Sequence, residues 1–336
     1  MSLTQIEFQA GGAGNAPTQV IKGRSPWALA WRRLRQDKVA VAAGVLIIIL
    51  ALLAILAPVI SSWVGHPPNT PYNNGTNSQG LPVSPSGTFL FGTDGLGRDL
   101  FVRVLYGAQI SLLVGIIATA IGTGAGVVMG MTAGYFGGVV DTVLARFIDS
   151  VLAFPYVVLA LALAVVFGPS LSVTIGVISF FSWAAIARVV RGQTLSIKEK
   201  EYVEAARSIG SGSWRIMFVD ILPNLIAPVL VLATLAIPTA IVFEATLSYL
   251  GVGVQPPTSS WGNLLAQAQQ FYSTSWWYLV FPAGFLLLTT LAFNLLGDGI
   301  RDAMDPRTER VFAAQRKGRR AEARRAGRTP PAAEVG

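Results

Sequence analysis

Six stretches of mostly apolar residues divide this chain, and they limit its fold more than any other feature. The first is Val39 to Ile60, "VAVAAGVLIIILALLAILAPVI"; the others are Ile110 to Ala133, Val139 to Phe167, Leu171 to Val190, Ile226 to Leu250 and Leu279 to Leu296. About 20 apolar residues suffice to cross a bilayer as a helix. Lipid offers the backbone no hydrogen-bond partners, so such a segment must be helical. The expected fold is an all-α integral membrane protein with six transmembrane helices. Charged residues make up 12% of the 336 residues and mean hydropathy is +0.56, against roughly 25% charge in a soluble domain. The first stretch does not read as a cleaved signal, because its apolar core is too long and no small-residue cleavage site follows.

Orientation follows from lysine and arginine near the spans. Lys22, Arg24, Arg32, Arg33, Arg35 and Lys38 precede the first span. Arg188, Arg191, Lys198, Lys200, Arg207 and Arg215 lie between the fourth and fifth, and Arg301, Arg307 and Arg310 follow the sixth. The opposite side has only Arg98 and Arg103 between Ser61 and Gln109, and no lysine or arginine from Gly251 to Tyr278. Both termini are therefore expected in the cytoplasm. The expected organisation is a cytoplasmic tail with an interfacial helix (1–38), a first span (39–60) and an extracytoplasmic loop (61–108). A core of five spans (109–298), with a cytoplasmic interlude at 191–223, and a basic cytoplasmic tail (299–336) complete it. The net charge of +8 is concentrated where a membrane protein carries cytoplasmic charge. Without aromatic platforms beside it, nucleic acid is not an expected partner.

The leader up to Arg24 is polar and Gly-rich and reads as disordered. "PWALAWRRLRQDK" then places Trp27, Leu29, Ala30 and Leu34 on one helical face with arginines around it. Two readings stand for it, an interfacial helix or a basic anchor. The C-terminal tail reads as disordered, either drawn to anionic lipid or simply solvated. Outside, "GHPPNTPYNNGTNSQGLPVSPSG" reads as an extended loop, and Trp276, Trp277 and Tyr278 fit an interfacial aromatic belt. Asp94, Arg98, Asp99 and Arg103 form a charged cluster ahead of the second span; pairing between Arg98 and Asp99 to orient the loop is expected over contact with a ligand or protein.

The residues for most enzyme chemistry are missing. There is no cysteine, which removes disulfides and thiolate sites. The single histidine, His66, stands in a loop, where a solvated side chain is expected and a metal site is not. No HExxH occurs, and no Gly-Lys dipeptide, so the phosphate loop GxxxxGK[ST] is absent. "GTDGLGRD" (Gly92 to Asp99) is Gly-rich but lacks that lysine. Proton- or sodium-driven carriers usually hold intramembrane carboxylates. Glu244 is the main candidate, either lining a translocation path or hydrogen-bonding a neighbouring span; Asp149 is expected to pair with Arg146 at i,i+3. One acid is thin support for ion coupling, so a subunit of a larger machine is the leading reading, ahead of an enzyme or a self-sufficient carrier.

Two further features bear on such a machine. Gly122, Gly126, Gly130 and Gly134 recur every four residues in "GTGAGVVMGMTAG", a stripe that lets a neighbouring helix approach backbone to backbone. Static packing within the subunit is expected over a sliding surface. In the cytoplasmic interlude, "EYVEAARSIG" combines helix formers with an apolar face of Val203, Ala206, Ile209 and Ile216. The pattern predicts a helix, a turn near Gly210 and a second short helix from about Ser213, capped by Ser211 or Ser213. Pro223 is expected to break the chain before the fifth span, and Pro228 and Pro238 to hinge or kink it.

These residues resemble a known family. "EYVEAARSIG" with "ILPN" is similar to the EAA signature of ABC-importer permeases: Glu204, Ala205, Ala206 and Gly210 match its core, Leu222 and Pro223 its end, while Asp220 departs from it. "FGTDGLGRDLFVRVLYGAQISLLVG", "ATLSYLGVGVQPPTSSWGNLLAQAQ" and "NLLGDGIRDAMDPR" extend the likeness to the C-type permease of the bacterial dipeptide, oligopeptide and nickel importers, from about Trp27 to Arg307. The resemblance implies a type I ABC importer permease in the cytoplasmic membrane, non-catalytic and without a bound cofactor. It implies a second permease subunit, two ATPases that use ATP and Mg, and an extracytoplasmic binding protein. Glu204 to Gly210 would be the coupling helix, with Tyr202 and Arg207 beside its core. Di- or oligopeptides are the implied cargo; nickel chelates or another small solute are the alternative.

Overall fold

The structure, a computed structural model, describes residues 26–305. The expectations for the leader to Arg24 and for the basic tail beyond Asp305 lie outside the described residues. Every regular element described is helical: α1 (Pro26–Gln36), α2 (Lys38–Ile55), α3 (Ala57–Val64), α4 (Leu100–Phe136), α5 (Gly138–Ala153), α6 (Tyr156–Phe167), α7 (Leu171–Ile197), α8 (Glu201–Ser208), α9 (Ser213–Arg215), a π-helical turn (Ile216–Ile221), α10 (Leu222–Tyr249), α11 (Trp261–Ala268) and α12 (Trp276–Met304). Five helices are long and apolar enough to cross a membrane: α2, α4, α7, the continuous run Ser213–Tyr249, and α12. A sixth span is formed if the bent pair α5 and α6 counts as one.

That pair covers the third span expected over Val139 to Phe167 and bends within it. The two helices meet at 87°. Pro155 disfavours the helical conformation at the residue before it, and Phe154 is accordingly extended (φ −73°, ψ 135°). The first span divides into α2 and α3 at Leu56, which stays near the helical region (φ −81°, ψ −1°), with Pro58 in the first turn of α3. Pro223 does not break the chain. The backbone widens to a π turn just before it, with the Leu222 N–H bonded to Met217 O five residues back, and α10 continues through Pro228 and Pro238.

Helix α4 is the axis of the fold. Asp99 starts it by accepting from Phe101 N at 2.8 Å and Val102 N at 3.3 Å, which moves its beginning ten residues ahead of the apolar run. It packs against α7, α10, α2 and α5. The glycine stripe faces α7. A Cβ added at Gly126 would lie 2.8 Å from Trp183 O, at Gly130 2.5 Å from Ala187 O and at Gly134 2.7 Å from Thr194 Cβ, and at Gly122 it would overlap Ser182 Oγ. On either side of this contact sit two apolar cores. The outer one gathers Leu100, Val104 and Leu112 with Trp261 and Tyr278; the inner one gathers Met131, Ile186 and Val190 with Val203, Ile216 and Leu225.

Helix α1 docks on α12 and α2 through Leu29, Ala30, Arg33 and Leu34, which are partly buried. Trp27 departs from its expected face and is exposed.

The stripe predicts a paired outcome. Gly130→Ala must displace α7 and should cost about 1–3 kcal/mol, the usual penalty of overpacking. Gly124→Ala, whose Cβ meets nothing within 4 Å, should be neutral or gain up to about 1 kcal/mol of helix propensity. Thermal unfolding of the detergent-purified protein separates the two; equal midpoints would remove the α4–α7 contact as a stabilising element.

Candidate functional site

The interlude between α7 and α10 folds into a short helix, a glycine turn and a return into the membrane. Glu201 and Glu204 occupy the first turn of α8 and Arg207 the last, the charge order that suits the helix dipole. The helix ends in a Schellman arrangement: Ser211 N donates to Ala206 O at 3.0 Å and Gly210 N to Arg207 O at 3.0 Å. Gly210 adopts φ +82°, a left-handed conformation open to glycine and strained for residues with a Cβ. Neither Ser211 nor Ser213 caps the second short helix. Gly212 holds the cap position of α9 and makes no side-chain bond.

Val203 and Ile216 are buried against Met131, Ile186 and Leu225, with Ala206 and Leu222 packed at the edge. Ile209 breaks the expected apolar face: it lies beyond the last helical turn and is 83% exposed. Tyr202, Glu204, Ala205, Arg207 and Gly210 are exposed as well. The Arg207 guanidinium lies 6.0 Å from the ring centre of Tyr135. Trp214, 68% exposed, and Phe218 extend this surface, their rings stacked 5.8 Å apart. Sequence reading missed these two; their i,i+4 spacing was the available signal, obscured by the flanking glycines. Pro223 is exposed at the start of α10. The backbone C=O of Asp220 accepts from Asn224 Nδ2 at 2.7 Å.

Glu244 is 0% exposed. Its Oε2 accepts from Ser111 Oγ of α4 and its Oε1 from Ser248 Oγ, each at 2.7 Å. Ser111 Oγ also accepts from Trp261 N at 3.4 Å. The carboxylate joins α4, α10 and the start of α11. A place on the translocation path does not suit a side chain sealed in this way.

The ion pairs rearrange the expected partners. Asp149 pairs with Arg188 of α7 at 2.6 Å, not with Arg146, because α5 lies directly against α7. Asp141 takes a two-pronged contact from Arg191, whose Nη2 donates to Oδ2 at 2.7 Å. Outside, Arg98 pairs with Asp94 at 2.6 Å, not with Asp99, and Arg103 approaches Asp94 at 3.2 Å. Arg103 also donates to Pro68 O and Asn69 Oδ1, tying the loop to α4. His66 is not solvated. Its Nδ1 lies 2.5 Å from Asp99 Oδ2 and its ring stacks on Phe89. Burial, then the Asp99 charge, raises the pKa of the adjacent Tyr72 phenol. Among the described residues no group of three or more His, Cys, Asp or Glu is placed to hold a metal ion.

A family described as "Binding-protein-dependent transport system inner membrane component" matches residues 126–310. Another, "N-terminal TM domain of oligopeptide transport permease C", matches residues 25–80. The chain is 41% identical over 282 residues to the dipeptide transport system permease protein DppC of Bacillus subtilis, covering 84% of this chain and 86% of that one. It is 41% identical to the oligopeptide permease OppC of Escherichia coli K12, covering 85% and 93%, and 38% identical to the glutathione permease GsiD of Pectobacterium atrosepticum, covering 84% and 92%. The chain belongs to the binding-protein-dependent transport permeases. It is the multi-pass inner-membrane component of an ABC importer, and as such a non-catalytic subunit that works with ATPase and binding-protein partners.

The permease's ion pairs divide by burial. Asp94 pairs with two arginines, with Asp94 and Arg103 at 0% exposure and Arg98 at 6%. Asp94→Asn should cost about 3–5 kcal/mol, as expected when a buried pair loses one partner. Arg188→Gln, at a pair whose side chains are 56% and 54% exposed, should cost less than about 1 kcal/mol. Chemical denaturation of both variants decides; a small loss for Asp94→Asn would show that the outer cluster does not hold the loop.

Proposed function

We propose that this permease pairs with a second, homologous permease subunit to form the pore of an importer for di- or oligopeptides. Two cytoplasmic ATPases would drive it, with ATP and Mg bound by those partners. The supporting observation is the surface from Tyr202 to Gly210. It projects exposed residues to one side and is held on the other by buried Val203 and Ile216, in a core shared with α4, α7 and α10. A push on this surface reaches three spans as one body, the mechanical requirement for converting ATPase closure into alternating access. Glu204 and Arg207 present opposite charges, and Ala205 leaves room for close approach. Ile209 supplies the apolar anchor, and Gly210 closes the turn. Lysine and arginine distribution puts this surface in the cytoplasm.

The cargo class rests on relatives named for dipeptides, oligopeptides and glutathione, all of which share a peptide framework. Nickel chelates or another small solute are the alternative within the same architecture. An ion-coupled carrier is disfavoured by the sealed, hydrogen-bonded Glu244.

The test is co-purification and coupled transport. Ile209→Glu leaves the buried side of α8 untouched and should reduce ATPase co-purification at least tenfold, the consequence of a charge in an apolar contact (~1.4 kcal/mol or more). Gly210→Pro cannot adopt the left-handed turn and should uncouple hydrolysis from uptake in the reconstituted complex. Wild-type coupling in both variants would refute the assignment. Uptake of labelled dipeptide, longer peptide and glutathione by the wild-type complex, with a nickel chelate in parallel, tests the cargo.

A further inference from the structure

The side of α1 that faces away from α12 has no role in the coupling surface, yet it carries an unusual set of exposed groups. Trp27 and Trp31 are 50% and 56% exposed, and Arg32 and Arg35 are exposed beside them. The Arg35 guanidinium sits 4.9 Å from the Trp31 ring centre. Lys38, two residues past the helix end, is exposed. The helix sequence, PWALAWRRLRQ, has no acidic residue. The nearest carboxylate along the chain, Asp37, is engaged as the cap of α2, accepting from Val39 N at 2.9 Å and Ala40 N at 3.2 Å.

Two contacts fix where this face sits. Arg33 turns to the other side and donates to Ala303 O at 3.3 Å and Asp305 O at 3.2 Å, which clamps α1 to the last turn of α12. On the chain side, a single residue joins α1 to α2. From its first turn, α2 shows an aliphatic outer surface of Val39, Val41, Val45, Ile48, Ile49 and Leu52, all exposed. Such a surface belongs against acyl chains, so the hydrocarbon boundary lies near Lys38. An 11-residue helix is about 16 Å long, and the single-residue link to α2 keeps its C-terminal end, with Arg35, beside that boundary. Tryptophan prefers this layer, and each basic side chain near an anionic leaflet adds attraction.

We infer that the Trp27, Trp31, Arg32 and Arg35 face of α1, with Lys38, is a docking surface for anionic phospholipid headgroups of the inner leaflet. The indoles sit among the ester and glycerol groups, and the guanidinium groups donate to lipid phosphate. Arg33 transmits that attachment to the cytoplasmic end of α12.

The experiment uses the full transporter complex in nanodiscs of phosphatidylcholine alone or with a quarter phosphatidylglycerol. Lipids retained after mild detergent extraction are counted by native mass spectrometry. Wild type should retain phosphatidylglycerol in preference to phosphatidylcholine, and the Arg32→Gln/Arg35→Gln variant should lose roughly tenfold of that preference. Thermal unfolding should match wild type, because both side chains are exposed. Brominated phosphatidylglycerol should quench a fluorescence component that disappears in Trp27→Phe/Trp31→Phe. An unchanged lipid preference in the arginine variant, or no quenching attributable to the two indoles, would overturn the proposal and show that another chain or solvent covers this face. Co-purification of the ATPase, measured on the same samples, tests the coupling assignment separately.

Discussion

The contact between α4 and α7 is the constraint on which the rest of this permease depends. Four glycines bring two helix backbones within the thickness of a missing side chain. In lipid there is little hydrophobic gain from bringing apolar helices together, so close backbone packing must supply the attraction. The consequence is positional. With α4 and α7 locked, Trp183, Ala184 and Ala187 present a fixed surface on which Ile148 and Val151 of α5 pack. Met131, Ile186 and Val190 present another, on which Val203 of α8 and Ile216 rest. The broken third span and the cytoplasmic knob are both built outward from that one seam.

Polar groups in this protein are placed according to what surrounds them. At the outer end, Asp94, Arg98 and Arg103 are buried together, and the loop they organise also packs under His66 and Phe89. Removing Asp94 would strand both arginine charges where water scarcely reaches them. Glu244 lies deeper, and its two oxygens are satisfied by serines on α4 and α10, so the three-helix junction beside α11 is specified by hydrogen bonding as well as by shape. The α5–α7 pairs are different. Arg188–Asp149 sits half open and Arg191–Asp141 less so, and the open pair contributes orientation more than stability.

Much of this was legible in the sequence, and what was not has physical reasons. The number of apolar runs, their helical state and the membrane setting follow from length and composition, and the EAA-like segment was recognisable from its residues. Span boundaries were not. Asp99 caps α4 far ahead of the apolar run, because a helix begins where its N–H groups find an acceptor and not where hydrophobicity rises. The kink at Phe154 and Pro155 was hidden inside a uniformly apolar stretch. Pro223 misled in the other direction, since a π turn absorbed it. The partners of Asp149 and Arg98 were misassigned for different reasons: the packed fold brings Arg188 of α7 to Asp149, whereas Arg98 takes the carboxylate four residues back, Asp94, in place of its neighbour Asp99. His66 looked like a solvated loop residue until the fold brought Asp99 and Phe89 to it.

The π turn explains how the segment after the Gly210 turn and α10 form one continuous helical run. An ordinary helix entering Pro223 would lose a hydrogen bond and clash with the carbonyl four residues back, creating a flexible joint between the knob and α10. The wider winding from Ile216 to Ile221 bonds five residues back instead. It keeps the chain continuous from Ser213 to Tyr249 while turning Ile216, Met217 and Ile221 into the inner core. Between Ser213 and Tyr249 the backbone therefore has no break; the non-helical link lies earlier, at the Gly210 turn. A proline that sequence rules assign to a break is here accommodated inside a continuous helical run, and the extra residue per turn is what makes that possible.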